Sequence, residues 1–393
     1  MGNQPNNHRP IPVIDLFAGA GGFTVAARQA GGVPCLSIEM DKAACETLEA
    51  NEHGSQHHTE QADVRELEGK DLRRLAKLGS SEPLIIVGGP PCQPFSKASY
   101  WTDPGHDSKY RRARARGKEV EKPLPITEAR EDDRRDLLAE FHRLIVEANA
   151  DAFVMENVRS LLHPRNKPVF EAVLKAFGRS GYLCTVVDAN AVNYGVAQKR
   201  KRIFVIGSKH TTPIEPPITH WATSKDPQHL KPPVAVEDVI GSYIGDEYAE
   251  EREQVTGRWA DALQEIPPGS NYKHLTAWAG HENPLFEAET RFWNFLLKLN
   301  PKAPSWTINA NPGPWVGPFH WESRRLRTVE LAAIQSFPHG YIFKGKKRQV
   351  IRQIGNAVPS KMAKVMIESA INTVVSPFKE AKQTELFMSA APH

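Results

Sequence analysis

Leu84-Ile85-Ile86-Val87-Gly88-Gly89-Pro90-Pro91-Cys92-Gln93-Pro94-Phe95-Ser96 decides the fold, because it joins a short β-branched apolar run to a tight turn that carries one thiol. The run reads as a buried parallel strand, and Gly88-Gly89 releases the chain at its carboxyl end. In open α/β sheets, ligands bind at that end of the strands. Three prolines fix φ and remove backbone donors, which lowers the entropy cost of holding Cys92 in one place for attack. Taken alone, a buried structural cysteine in an ordinary turn is the stronger reading, since a free thiol packs as a small hydrophobe and its reactivity depends on surroundings.

Outward from this stretch, short apolar runs recur at Ile11 to Leu16, Cys35 to Glu39 and Ala152 to Met155. Between them lie stretches of helical period: Phe23 to Ala30, Lys42 to Ala50, Leu137 to Ala148 and Pro168 to Phe177. The alternation predicts a parallel sheet with helices on both faces. Residues 100–134 are polar and charged with little apolar periodicity, the pattern of a long functional loop. From Ser208 to about Trp321 prolines and scattered aromatics break the alternation, so a second domain is expected there. Amphipathic helix returns from Thr328 to Thr373 before a polar tail. The predicted division is 11–208 for a first domain, 209–323 for a second, 324–376 returning to the first, and 377–393 as tail.

With 393 residues, 40% hydrophobic and 24% charged, the chain has room for one large domain and a smaller one. No apolar run approaches the roughly 20 residues that cross a bilayer, and no signal-peptide pattern opens the chain; a cytoplasmic protein is expected. Cys35, Cys45, Cys92 and Cys184 lack CxxC spacing, against both a zinc site and a disulfide framework. A net charge of +4 implies no polyanion partner by itself. Distribution says more: Arg111, Arg112, Arg114, Arg116 and Lys118 form one basic cluster, and Lys344, Lys346, Lys347, Arg348 and Arg352 a second. Each is either a phosphate-contacting surface or a solvated face.

Three further constellations bear on Cys92. Asp15-Leu16-Phe17-Ala18-Gly19-Ala20-Gly21-Gly22-Phe23 follows a strand and opens a helix, so its glycines let the backbone approach a ligand at the helix amino terminus. Thr24 stands where a full dinucleotide fingerprint needs glycine, which argues against a pyrophosphate-binding dehydrogenase. Glu39 and Asp63, at the ends of the next two strands, are placed to accept hydrogen bonds from a nucleoside or to serve as capping carboxylates. Glu156, in Met155-Glu156-Asn157-Val158, ends another strand at the same sheet edge as Cys92. Shielded, such a carboxyl can donate a proton or hydrogen bond to a bound base; in isolation a structural glutamate is the safer reading. In Gln198-Lys199-Arg200-Lys201-Arg202, the period of two turns Gln198, Arg200 and Arg202 to one side, a set able to hold a carbonyl oxygen or to lie along an exposed strand edge.

These motifs, in this order, resemble the cytosine-C5 DNA methyltransferases that use S-adenosylmethionine. The resemblance continues through Asn193-Tyr194-Gly195-Val196, through Arg325 to Pro338 with Glu330 and Gln335, and to Gln353-Ile354-Gly355-Asn356-Ala357-Val358-Pro359. It implies an α/β, doubly wound, mostly parallel, Rossmann-like methyltransferase fold with a second, smaller target-recognition domain. It implies that Cys92 adds to C6 of a flipped-out cytosine, that Glu156 contacts the ring nitrogen and amine, that Arg202 contacts the carbonyl oxygen, and that Arg200 supports the site. For S-adenosylmethionine it implies Phe17 and Asp63 at the adenine, Glu39 at the ribose, Gly19, Gly21 and Gly22 at the methionine end, and Met40, Val64, Pro90, Asn356 and Val358 in the remaining wall. Asp132 to Leu137 resembles a further cofactor-side motif, with Arg135 where the family often has glycine.

Expected DNA contacts are Gln93, Ser96, Arg111, Arg112, Arg114 and Thr307, the last within Trp306-Thr307-Ile308. The stretch after Cys92 would close as a lid over DNA. Trp278, Trp293 and Trp315 are expected to build the core of the smaller domain. No metal is implied. The expected partner is double-stranded DNA, bound by a monomer in the nucleoid, with a cognate restriction or defence nuclease as a further candidate in a compact prokaryotic or viral system. Two alternatives stay open: an RNA cytosine methyltransferase on the same scaffold, and a catalytically silent DNA-binding protein.

Overall fold

The structure is a computed structural model and describes residues 10–52, 57–91, 110, 113–114, 117–121, 136–164, 166–221 and 229–389, with side chains to residue 375. Strands β1 (Pro12–Leu16), β2 (Val33–Glu39), β3 (His58–Gln61), β4 (Ile85–Gly88), β5 (Ala152–Val158), β6 (Leu183–Asn190) and β8 (Lys201–Ser208) form one sheet in the order β3-β2-β1-β4-β5-β8-β6. The pairs linking β3, β2, β1, β4 and β5 are parallel, while β8 runs antiparallel between β5 and β6. Winding reverses between β1 and β4, and a crevice opens beyond the carboxyl ends of strands at such a point.

Alternation along the strands sorts apolar side chains onto two faces. Ile14, Leu16, Ile86, Phe153 and Met155 belong to one buried cluster; Val13, Ile85, Val87, Ala152 and Val154 belong to the other. The first cluster is covered by α4 (Leu137–Glu147) and α5 (Lys167–Arg179) through Phe141 and Phe177, and the Phe177 ring stacks on Phe153 at 4.0 Å. On the opposite face lie α1 (Gly22–Gln29), following β1, and the last helix, α10 (Ser360–Ser389), whose Met362, Met366, Ile367 and Ala370 pack beside Phe23 and Ala26. Helix α2 (Lys42–Ala50) links β2 to β3, and α3 (Gly69–Leu75) follows β3. The four predicted strands and four predicted helices are present, with ends shifted by up to three residues. No run was predicted for β6, whose residues outside Val187 and Ala189 are exposed or half-buried, so hydrophobicity does not mark it.

The stretch 209–323 holds the short helices α6 (Glu237–Ile240) and α7 (Ala260–Glu265) and the two-residue strand β9 (Ser305–Trp306). Its apolar residues divide between two clusters. Leu263, Ile266, Tyr272, Leu275, Phe286, Leu296 and Phe319 form one among themselves, with Trp315 packed against it. Val236, Ile240, Leu299 and Ile308 instead join Ala20 and Val25 and residues of α8 (Thr328–Ile334) and α9 (Lys347–Asn356). The tryptophan expectation needs correction: Trp278 is 78% and Trp293 48% exposed.

Met366 is fully buried between the last helix and the sheet. Met366→Ala is expected to lower unfolding free energy by about 2–5 kcal/mol, read as a drop in urea midpoint without a change of slope.

Candidate active site

At the crevice lies a cavity of about 410 Å³, within the roughly 300–1,000 Å³ of small-molecule sites. Its walls come from five places in the fold. Phe17, Ala18, Gly19, Gly22 and Phe23 supply the β1–α1 loop; Glu39, Met40 and Asp41 follow β2; Ala62 to Arg65 follow β3. Gly89, Pro90, Pro91 and Glu156 close one end at β4 and β5, and Arg352, Gln353, Asn356, Ala357 and Val358 return from α9.

Backbone geometry makes the loop possible. Phe17, Gly19 and Gly21 have φ of 58°, 54° and 82°, the left-handed region that glycine adopts without strain. The Glu39 carboxylate accepts the Gly19 amide at 2.8 Å on one oxygen and the Met40 and Asp41 amides at 2.9 and 2.8 Å on the other. Loop and second strand are therefore bound together by one side chain. A Cβ at Gly22 would run into the Val358 carbonyl, so the α1 amino terminus and the 357–358 segment touch through backbone alone. Gly21 does not line the cavity: a Cβ there would lie 2.8 Å from Leu48 and from the Tyr341 hydroxyl, so this glycine serves packing. Tyr341, not singled out in the sequence, donates from its hydroxyl to the Ala20 carbonyl at 2.6 Å.

Asp63 caps the short turn Val64–Glu66 and is held by Arg65, whose amide and Nε each lie 3.0 Å from its carboxylate. These bonds keep the Asp63 carboxyl below its ordinary range. On the opposite rim Arg352 pairs with Asp41 at 2.5 Å.

At the far end, Arg202 Nε meets Glu156 Oε1 at 2.7 Å, both side chains largely shielded. Asn157 donates to the Pro90 carbonyl at 3.2 Å and so ties the Pro-Pro turn to β5. The expectation that Gln198, Arg200 and Arg202 converge on the cleft is corrected. The strand breaks at Arg200, leaving a two-residue strand β7 (Gln198–Lys199) paired with β9. Arg200 is buried away from the cavity and donates to the Gly355 carbonyl at 3.0 Å. Gln198 donates to Gln335 at 2.7 Å, and Gln335 donates to the Ile354 and Ala357 carbonyls at 2.6 and 3.0 Å. Period-two reading assigned the correct buried side, but inward here means toward the returning segment. Thr307 lies outside the cavity, its hydroxyl donating to the Lys199 carbonyl at 2.7 Å.

Arg114 is exposed, 5.9 Å from the Tyr110 ring. In the second basic cluster, Lys347 pairs with Glu250 at 2.7 Å. Cys92, Gln93, Ser96, Arg111, Arg112 and Arg116 lie outside the described residues, as does most of the expected lid. Leu137, at the end of the Asp132 to Leu137 motif, lines the cavity. Among the described residues no group of three His, Cys, Asp or Glu could hold a metal ion, and no helix is long and apolar enough to cross a membrane.

Comparison with known proteins matches residues 11–372 to the family described as C-5 cytosine-specific DNA methylase. The chain is 32% identical to the type II methyltransferase M.SacI of Streptomyces achromogenes, over 92% of this chain and 93% of that one. It is 29% identical to the type II methyltransferase M1.HphI of Haemophilus parahaemolyticus, covering 92% and 87%. Among solved structures, a DNA modification methyltransferase encoded within an Escherichia coli prophage superposes with a TM-score of 0.63 at 20% identity, covering 93% of this chain and 99% of that one. An Entamoeba histolytica methyltransferase superposes at 0.58 and 12% identity, with coverages of 93% and 99%. At these identities the two structures show the shared fold.

Behind the loop, Asp15 is fully buried, and burial raises its carboxyl from 3.8 to about 7; hydrogen bonds from Thr24 oppose the shift and the Glu39 charge adds to it. A raised carboxyl binds its proton more tightly in the folded state, so its contribution to stability is lost as pH rises from about 4 to about 7. Urea unfolding across that window is expected to show wild type losing roughly 4 kcal/mol relative to Asp15→Asn. Parallel curves for the two proteins would contradict this.

Proposed function

The chain belongs to the C-5 cytosine-specific DNA methylase family, and on that premise we propose that it transfers a methyl group from S-adenosylmethionine to C5 of a cytosine within a specific double-stranded DNA sequence. One observation carries the reading: a single cavity is lined at one end by the glycine loop, Glu39 and Asp63, and at the other by Pro91 and Glu156, the carboxylate to which Arg202 is paired. Pro91 is the residue before Cys92. A nucleoside-bearing donor and a flipped base would thus meet over the thiol.

The residues fit the donor. The space above Gly19 is open, with nothing within 4 Å of where a Cβ would be. Phe17 offers a ring for adenine, Glu39 and Asp63 offer acceptors for ribose hydroxyls and the adenine amine, and Met40, Val64, Pro90, Asn356 and Val358 complete the wall. When bound, S-adenosylmethionine supplies an electrophilic methyl on sulfur.

Cytosine C5 is a weak nucleophile, and Cys92 is the group that changes this. Its thiolate adds to C6, forming an Sγ–C6 bond and moving the C5–C6 electron pair onto C5. Glu156 in its protonated form donates to the ring nitrogen and accepts from the amine, and Arg202 donates to the carbonyl oxygen, so that negative charge on the ring is matched by a fixed donor. After C5 has taken the methyl group, loss of the C5 proton returns the electron pair, and the Sγ–C6 bond breaks to release Cys92. A stacked cytosine cannot reach the thiol, so the base is flipped out of the duplex.

We assign 11–208 with 324–376 to the catalytic domain and 209–323 to target recognition, with Thr307, Gln93, Ser96 and the arginines after Cys92 toward DNA. The type II names of the relatives support a role in marking host DNA beside a cognate nuclease.

Duplex DNA carrying 5-fluorocytosine at the target site is expected to trap a covalent complex with wild type and none with Cys92→Ser. Bisulfite sequencing of DNA from expressing cells identifies that site. Transfer to transfer RNA but not to duplex DNA would replace the DNA reading with the RNA one. Reversing Arg111 and Arg112 to Glu is expected to weaken DNA binding and to flatten its log–log salt slope by about 1 per lost phosphate contact.

A further inference from the structure

Thr24 is the residue that breaks the dinucleotide fingerprint, and neither the cavity nor the chemistry above uses it. It is 3% exposed on α1, facing the sheet. Beneath it Asp15 and Ser37 are direct partners in the parallel register of β1 and β2, 1% and 0% exposed. Thr24 Oγ1 lies 2.7 Å from Asp15 Oδ2 and 3.1 Å from Ser37 Oγ, and Ser37 Oγ lies 2.9 Å from His57 Nε2. His57 Nδ1 faces Glu52 at 3.5 Å. A polar chain therefore crosses a helix–sheet interface that is otherwise apolar, from the end of β1 to the segment before β3.

Donor counting shows that these groups act as a unit. Each hydroxyl has one hydrogen to give. With Asp15 ionised, Thr24 gives its hydrogen to Asp15, Ser37 gives to Thr24, and His57 must give from Nε2 to Ser37. With Asp15 protonated, every donor in the chain can reverse and His57 carries its proton on Nδ1, toward Glu52. A substitution at any link leaves a buried neighbour unsatisfied, at a cost that an apolar contact would not incur. Asp15 Oδ1 is already buried without a hydrogen-bond partner among the described residues. The charged or titratable groups around the chain are Glu39 on β2, Arg28 on α1, Tyr341, His58 and Glu52.

The position of the chain gives it a task. Asp15 precedes Phe17 by two residues, Thr24 follows Gly22 by two, and Ser37 precedes Glu39 by two, so each end of the cofactor loop and its carboxylate anchor is adjacent to a link. We propose that Thr24, Ser37 and His57 are positioning residues that hold α1 in register on β1 and β2, and thereby fix the Phe17 to Gly22 loop against Glu39. The inference rests on the reading of this cavity as the S-adenosylmethionine site.

Thr24→Val removes the hydroxyl at nearly constant shape, Thr24→Ser keeps it, and Ser37→Ala breaks the next link should the valine variant fold poorly. Hydrogen exchange of the cofactor-free protein is expected to show faster exchange of the Gly19 and Gly21 amides in Thr24→Val and Ser37→Ala, and protection near wild type in Thr24→Ser. Calorimetric titration with S-adenosylmethionine is expected to show about tenfold weaker binding in the first two and recovery to within about twofold in the third. KM for the donor should rise more than kcat falls, and the double variant should be less than additive. Unchanged loop exchange in both disruptive variants would overturn the proposal. If wild type itself fails to bind S-adenosylmethionine, the functional reading fails, while loop exchange still decides the positioning role.

Discussion

The site depends on a backbone-to-backbone contact between two parts of the chain more than 300 residues apart. Gly22 opens α1 directly beneath the Val358 carbonyl, where no side chain has room. The amino-terminal loop supplies the floor of the cavity and the returning segment supplies a wall, so neither half forms the site alone. Glycine at position 22 is thus a condition of closure. The helix that follows the contact then packs beside α1 on the sheet, which makes the last helix part of the core on that face of the sheet.

A buried polar brace holds that contact through the carbonyls of Ile354, Gly355 and Ala357, the first of which also accepts the Ala357 amide at 3.2 Å. Gln335 satisfies two of them and Arg200 the third, while Gln198 holds Gln335 and accepts the Ile308 amide at 3.2 Å. Unpaired, such groups would each cost on the order of 1–3 kcal/mol. Side chains from two distant motifs are therefore used to satisfy backbone, and only Arg202 of the Gln-x-Arg-x-Arg set extends to Glu156. A second group of buried charge surrounds Glu330, which accepts Arg324 at 2.7 and 2.9 Å, with Arg327 bound to Glu253. This cluster fixes α8 against the 245–253 stretch, apart from the cavity at the sheet crevice.

Much of the fold was legible because β1, β2, β4 and β5 are buried on both faces and are apolar at most of the positions that pack, Asp15, Ser37, Glu156 and Asn157 being the polar exceptions. Their carboxyl-end loops were legible for a different reason: Gly19, Gly22, Pro90 and Pro91 are there to set backbone conformation, and residues that do so are recognisable without neighbours. Ten of the eleven residues expected around the cofactor line the cavity, Gly21 being the one that instead makes room for Leu48 and Tyr341. Arg65, Asp41, Arg352 and Tyr341 were not legible, since nothing local distinguishes a surface arginine or tyrosine from one that closes a rim.

What the sequence determined by itself was the parallel α/β core, the family, and the types of group available for chemistry, because these depend on periodicity and on short motifs of restricted backbone. What only the tertiary structure decided was which member of each motif faces the cavity and which faces the brace. Gln198, Arg200 and Arg202 are equivalent under a period of two; the strand break at Arg200 and the carbonyl of Gly355 separate them. Thr24, noted in the sequence as a missing glycine, became a link in a buried hydrogen-bond chain. Its partners Asp15, Ser37 and His57 come from three segments that meet only when the sheet has formed.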